Sequence, residues 1–100
     1  MIVELNNDNF DEIISKRLVL VEFYAPWCSF CVRQNVMLED MKEITVYKLN
    51  GDIYPEIVNK FGVNSYPSFI IFDKGKAVGK FSGLHTKYEL MSILTQYMKK

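Results

Sequence analysis

The sequence predicts an α/β fold, a mixed central β-sheet in the order βαβαβαββα with helices on both faces. Three observations carry that reading. Apolar residues switch repeatedly between strand spacing and helix spacing, with no internal repeat and no low-complexity linker. One run, residues 18–25, is apolar on both of its alternating faces, the pattern of a strand in the middle of a covered sheet. The last two strands are separated only by "DKGK", which makes them an antiparallel hairpin and the sheet therefore mixed.

The elements follow in order. Residues 2–5 form a short strand. In "NNDNFDEIISK", Asn and Asp offer caps ahead of Phe10, Ile13 and Ile14, whose i, i+3, i+4 spacing predicts a short helix. In the run 18–25, Leu18, Leu20 and Tyr24 alternate with Val19, Val21, Phe23 and Ala25. Residues 29–41 read as a helix with Val32, Val36, Met37 and Met41 facing inward. Residues 45–49 are a strand, and "GDIYPEIVNKFG" is a turn with a helix that Gly62 ends. Strands at 68–72 and 77–82 flank the hairpin turn at 73–76. Thr86 and Glu89 make a capping box for a last helix with the apolar stripe Leu90, Ile93, Leu94 and Tyr97.

One hundred residues, 49% of them hydrophobic and 14% aromatic, suffice for a single domain over residues 1–100 with a continuous core. Lys plus Arg equals Asp plus Glu at 12 each, and the only basic cluster is the terminal Lys99-Lys100. That balance argues against nucleic acid and against an anionic membrane, and leaves partners to be recognised by shape and apolar contact. The opening "MIVELNNDNF" lacks the basic and long apolar regions of a signal peptide, and no apolar stretch could span a bilayer, so a cytoplasmic protein is expected.

Both cysteines lie in one short stretch, "VEFYAPWCSFC". A bond between Cys28 and Cys31 would close so small a loop that it would constrain the unfolded chain little, so the pair reads as chemistry rather than as a staple. They stand where a strand hands over to a helix. Orphan N–H groups and the dipole at a helix N-terminus favour a thiolate, and bringing a thiol from about 8.5 to about 7 takes roughly 2 kcal/mol. Cys28 at the cap is thus the expected nucleophile, and Cys31, one turn inside, the thiol that resolves the mixed disulfide. The competing reading is half of a zinc site, against which the rest of the chain offers a single histidine, His85.

Glu22 shares a face with Leu20 and Tyr24 in the doubly apolar run. Burial there would raise its pKa and suit it to take the proton from Cys31, whereas an edge strand would leave it in water. Lys48, in the next apolar strand, either pairs with Glu22 or is a solvated strand lysine.

At these residues the sequence resembles the thioredoxin family, and "VEFYAPWC" is similar to the catalytic domains of protein disulfide isomerases. The likeness covers essentially the whole chain: the element order, Trp27-Cys28-x-x-Cys31, the acid at Glu22, Lys48 in "VYKLN", "NSYP", and Gly83 after the last strand. The resemblance implies a thioredoxin fold, with Cys28, Cys31, Glu22, Lys48 and a cis Pro67 as catalytic residues. It also implies a substrate groove of Trp27, Phe30, Ser65, Tyr66, Pro67, Gly83 and Leu84, with Tyr66 offering backbone groups to an extended substrate strand. For the aromatic members the alternative is plain core packing. Proline at 67 has no N–H and cannot bind metal, which in the family helps keep the dithiol free. The chain departs from the family in two places. Ser29-Phe30 replaces the usual Gly-Pro or Gly-His between the cysteines, and Val36 stands where a helix-kinking proline is common, which implies a straighter helix.

The expected activity is reduction or exchange of protein disulfides by a monomer without cofactor or metal, re-reduced by a thioredoxin-reductase-type or glutathione-type donor. An oxidant or isomerase is a variant of the same class, favoured by "VEFYAPWC" and disfavoured by the missing signal peptide. The reading from another class is a non-catalytic binding module or chaperone subunit that holds partners in the Trp27/Phe30/Tyr66 groove.

Overall fold

In the computed structural model, which describes residues 1–99, the chain runs β1 (Ile2–Glu4), α1 (Phe10–Ile14), β2 (Val19–Tyr24), α2 (Ser29–Leu38), β3 (Val46–Asn50), α3 (Pro55–Lys60), β4 (Ser68–Asp73), β5 (Lys76–Ser82) and α4 (Lys87–Met98). Lys100, one of the terminal basic pair, lies outside the described residues. The expected order holds, and the strands form one five-stranded sheet ordered β1-β3-β2-β4-β5. β1 and β2 run parallel to β3, while β4 is antiparallel to both β2 and β5. β2 is therefore central, with backbone partners on both sides.

Each face of the sheet buries its own apolar cluster. Val19, Val21 and Phe23 of β2 pack with Phe10 and Ile14 of α1 and Val58 of α3. Leu20, one residue out of phase, packs with Leu38 of α2 and Leu90 and Leu94 of α4. Each such side chain contributes about 1.5–3 kcal/mol by leaving water. The same period of two puts Glu22 on the side of Leu20, beneath α2.

The turn chemistry matches expectation. Lys74 and Gly75 both have positive φ, 54° and 87°, as a type I′ hairpin turn requires. The capping box of α4 is formed, with Glu89 N–H donating to Thr86 Oγ1 at 3.1 Å and Thr86 N–H to Glu89 Oε1 at 2.8 Å.

Three expectations need correction. α1 begins without the expected side-chain cap, since Asn9 stands at its N-cap but makes no capping hydrogen bond. β2 starts at Val19, because Leu18 takes a left-handed backbone (φ 50°) as the chain turns out of α1, at a cost of roughly 1–2 kcal/mol. The largest correction concerns α2, which ends at Leu38, after which the Met41 N–H reaches back to Leu38 O at 3.0 Å. Of the four residues expected inward, only Met41 is buried; Val32 is 56% exposed, Val36 61%, and Met37 is exposed as well. The inward face of α2 is Cys31, Gln34 and Leu38. Cys31 sets the rotation, and the positions three and seven residues on follow it inward whatever their polarity. The remaining strand ends differ from expectation by a residue.

Candidate active site

β2 ends at Tyr24, and the next residues turn the chain into α2 through a Cys28 N–H to Ala25 O bond of 3.1 Å. Cys28 is extended (φ −85°, ψ 111°) and is the N-cap of α2, its Sγ accepting the Cys31 N–H at 3.2 Å. A cysteine thus fills the place of the usual Ser or Asp cap, its sulfur accepting an N–H that would otherwise be unpaired. Cys31, one turn on, is buried behind it. Burial pushes the Cys31 thiol up to about 12, reinforced by its contact with the Cys28 sulfur and by the nearby Glu22 charge, and opposed by the Ala25 backbone. Cys31 therefore needs a proton acceptor before it can act as a nucleophile.

Glu22 is fully buried, at 0% exposure, which excludes the solvated edge-strand alternative. Burial pushes its carboxyl from 4.5 to about 7; Lys48 pulls it back down and Glu4 adds to the rise. Lys48 stands opposite both carboxylates, in register with Glu22 on one side and Glu4 on the other. Its ammonium lies 4.3 Å over the Tyr24 ring, and the Tyr24 hydroxyl donates to Glu4 Oε2 at 2.8 Å.

Asn35 completes this cluster. An amide has the same shape either way round, and here its two neighbours decide the orientation. With nitrogen toward the carboxylate and oxygen toward the ammonium, Nδ2 donates to Glu22 Oε1 and Oδ1 accepts from Lys48 Nζ, both at 3.1 Å. Reversed, acceptor would face acceptor and donor would face donor. Glu22 Oε2 is buried with no hydrogen-bond partner.

A second amide organises the rim. Gln34, also fully buried, donates through Nε2 to His85 O and accepts the His85 N–H on Oε1, both at 2.8 Å, so α2 grips the loop that follows β5. That loop is also tied to the proline turn, Gly83 N–H donating to Pro67 O at 3.0 Å from a left-handed backbone (φ +91°) that favours glycine. The Tyr66–Pro67 bond is cis, and Tyr66 O accepts from Cys28 Sγ at 3.5 Å. Neither Gln34 nor Asn35 was singled out by sequence reasoning. The signal that would have found them is their spacing of three and four from Cys31.

Around the thiols, Trp27 is 71% exposed and meets the Tyr66 ring edge-on at 6.0 Å. Tyr66 itself is half-buried and packs over Gly51, where any Cβ would lie 2.1 Å from the Tyr66 hydroxyl. Its ring is thus partly core, while its carbonyl faces Cys28. Phe30 is exposed with the Arg33 guanidinium 5.9 Å from its ring centre, Leu84 is half-buried, and the exposed Ser65 has its hydroxyl 3.4 Å from Ser68 Oγ. Among the described residues, no three His, Cys, Asp or Glu side chains converge into a metal-holding group. No helix among them is long and apolar enough to cross a membrane. A cavity of about 700 Å³ between α4 and the start of β2, lined by Leu18, Ile44, Met91 and neighbours, includes none of these groups. Cys28 is itself buried, at 6% exposure, against 1% for Cys31, beneath the exposed Trp27 and Phe30.

Comparison with known proteins agrees with this fold. The family model described as Thioredoxin matches residues 1–96. A thioredoxin of Chlamydia muridarum is 35% identical, the match covering 97% of this chain and 99% of that protein. Protein disulfide-isomerase A4 of Bos taurus is 32% identical over 92% of this chain but only 16% of its own length. Among solved structures, a mutant thioredoxin of Halobacterium salinarum superposes with a TM-score of 0.84 at 24% identity, covering 96% of this chain and 89% of that one, a likeness of fold. A family model matched over residues 1–96 and a relative 35% identical along nearly the whole of both chains settle the membership: the chain belongs to the thioredoxin family.

Proposed function

We propose that this protein is a thiol–disulfide oxidoreductase that reduces disulfides of protein substrates. The observation that carries the reading is the asymmetry of the two thiols: Cys28 Sγ sits at the helix cap with an N–H donor, and Cys31 lies buried one turn behind it. The Cys28 thiolate attacks one sulfur of the substrate disulfide, forming a mixed disulfide and releasing the other sulfur as a thiolate. Cys31 gives its proton to Glu22 and attacks Cys28; the Cys28–Cys31 bond forms, the bond to substrate breaks, and the second substrate sulfur leaves. The substrate gains two electrons, which a dithiol or flavoprotein reductase must return to the oxidised pair.

Trp27, Phe30, Tyr66, Pro67, Gly83 and Leu84 hold the substrate segment, with Ser65 beside them. The relatives named thioredoxin support thiol–disulfide oxidoreductase chemistry in general; the reducing direction and a cytoplasmic, monomeric state are part of the proposal. The isomerase-like segment and Ser29-Phe30 bear on the redox potential, which separates a reductant near about −270 mV from an oxidant above roughly −200 mV.

The test is a pair of substitutions. Cys31→Ser should accumulate a mixed disulfide between Cys28 and a disulfide-bonded protein substrate, identified by mass spectrometry, and Cys28→Ser should abolish both adduct and turnover. Undiminished partner binding by Cys28→Ser, with no adduct in Cys31→Ser, would instead establish the binding module.

A further inference from the structure

The cluster beneath the cysteines contains a polar side chain that touches both Glu22 and Lys48 and to which the exchange reaction assigns no task, Asn35. Asn35 lies four residues after Cys31, so it stacks next to that thiol on the face of α2 that looks down on the sheet. Its amide stands between the two charged groups of the central strands, Glu22 on β2 and Lys48 on β3. The groups facing Glu22 are few. β3 contributes Lys48, β1 contributes Glu4, and α2 contributes Cys31. β4 places the apolar Phe69 opposite Glu22 in register, and Tyr24 follows two residues along on β2.

We infer that Asn35 is a positioning residue for the proton transfer that activates Cys31: it bridges Lys48 and Glu22, occupies Glu22 Oε1, and leaves Oε2 as the oxygen that exchanges the proton. The inference rests on the proposed disulfide exchange. In that step the Cys31 S–H bond breaks and an O–H bond forms on Glu22 Oε2, reached through a bridging water or a small shift because the two are not hydrogen-bonded at rest, and the Cys31 thiolate attacks the Cys28 sulfur. The unpartnered state of Oε2 beside an Oε1 held at 3.1 Å is what selects one oxygen over the other. An N–H donated to a carboxylate favours its ionised form, so the amide keeps Glu22 ready to accept a proton in a setting that otherwise disfavours charge. It does so without letting the ammonium close on the carboxylate, which would hold Glu22 ionised and weaken it as a base.

Asn35→Leu keeps the volume, and so keeps Lys48 apart from Glu22, while removing both hydrogen bonds. The pH midpoint for resolving a preformed Cys28 mixed disulfide should rise by about one unit, the size of effect one lost hydrogen bond to a carboxylate gives. Resolution should slow about fivefold near pH 7 and recover above pH 9, with the rate of the first attack by Cys28 unchanged. An unshifted midpoint, or equal slowing at every pH, would overturn the assignment. A second measurement needs no variant: in the unaltered protein the Asn35 side-chain NH₂ resonances should titrate with the midpoint of the Glu22 carboxyl in NMR spectra. A flat amide signal beside a titrating Glu22 would refute the bridge whatever Cys31→Ser does, and an absent mixed disulfide would refute the exchange reading while leaving the amide titration intact.

Discussion

Replacing Glu22 by Gln should make the protein more stable, and only at neutral and alkaline pH. The folded carboxyl is raised from 4.5 to about 7 by burial in the middle of the sheet, so the native state binds its proton more tightly than the unfolded chain does. The stability owed to that proton is fully present below pH 4.5, declines between 4.5 and 7, and is lost above the folded value. Converted at about 1.4 kcal/mol per pH unit, the gap amounts to about 3 kcal/mol of destabilisation carried by the ionised carboxylate at pH 8.5. Glutamine has no proton to lose and can still accept the Asn35 N–H on its oxygen. Urea unfolding of the reduced protein, followed by far-ultraviolet circular dichroism, should therefore place the Gln variant about 2 M above the parent at pH 8.5, for a slope near 1.5 kcal/mol per M, and level with it at pH 4. Titrating groups away from Glu22 are common to both proteins and drop out of the difference. A gain of the same size at both pH values would refute the reasoning, because it would mean that Glu22 carries no charge penalty in the folded state.

Two further outcomes probe the surface and the rim. Phe30 is 54% exposed on the first turn of α2, and if it docks substrate, Phe30→Ala should lower kcat/KM for protein disulfides about tenfold while leaving small disulfides nearly unaffected; a parallel loss on both would exclude docking. Gln34→Leu removes both partners of the His85 backbone and should cost about 2–4 kcal/mol in unfolding free energy, with fast hydrogen exchange at the His85 amide, whereas retained protection of that amide would show that Gln34 does not hold the loop.

Much of this site could be read from the residues in order. The doubly apolar run around Glu22 placed a carboxylate inside the sheet, and the structure buries it completely because β2 has strands on both sides. The handover from strand to helix at "APWC" placed Cys28 at a helix N-terminus, where it is the cap. Thr86, Glu89 and "DKGK" each specify local hydrogen bonding or local φ, so cap and turn form where the sequence puts them.

The inward face of α2 could not be read the same way. Ranking its positions by polarity selects Val32, Val36 and Met37, yet these face solvent while Gln34 is buried and Asn35 half-buried. A buried amide is tolerable only when both its ends are satisfied, and the partners that satisfy these two come from far along the chain: the His85 backbone 51 residues away, and carboxylate and ammonium groups on neighbouring strands. Local sequence determined the elements, the order of the strands' chemistry and the place of the thiols, because those depend on neighbours in the chain. Which helix face turned inward, and hence which amides meet Glu22 and the rim loop, was decided by the tertiary structure, because polar groups are matched across space by the register of β2 on β3 and the seating of α2 on both.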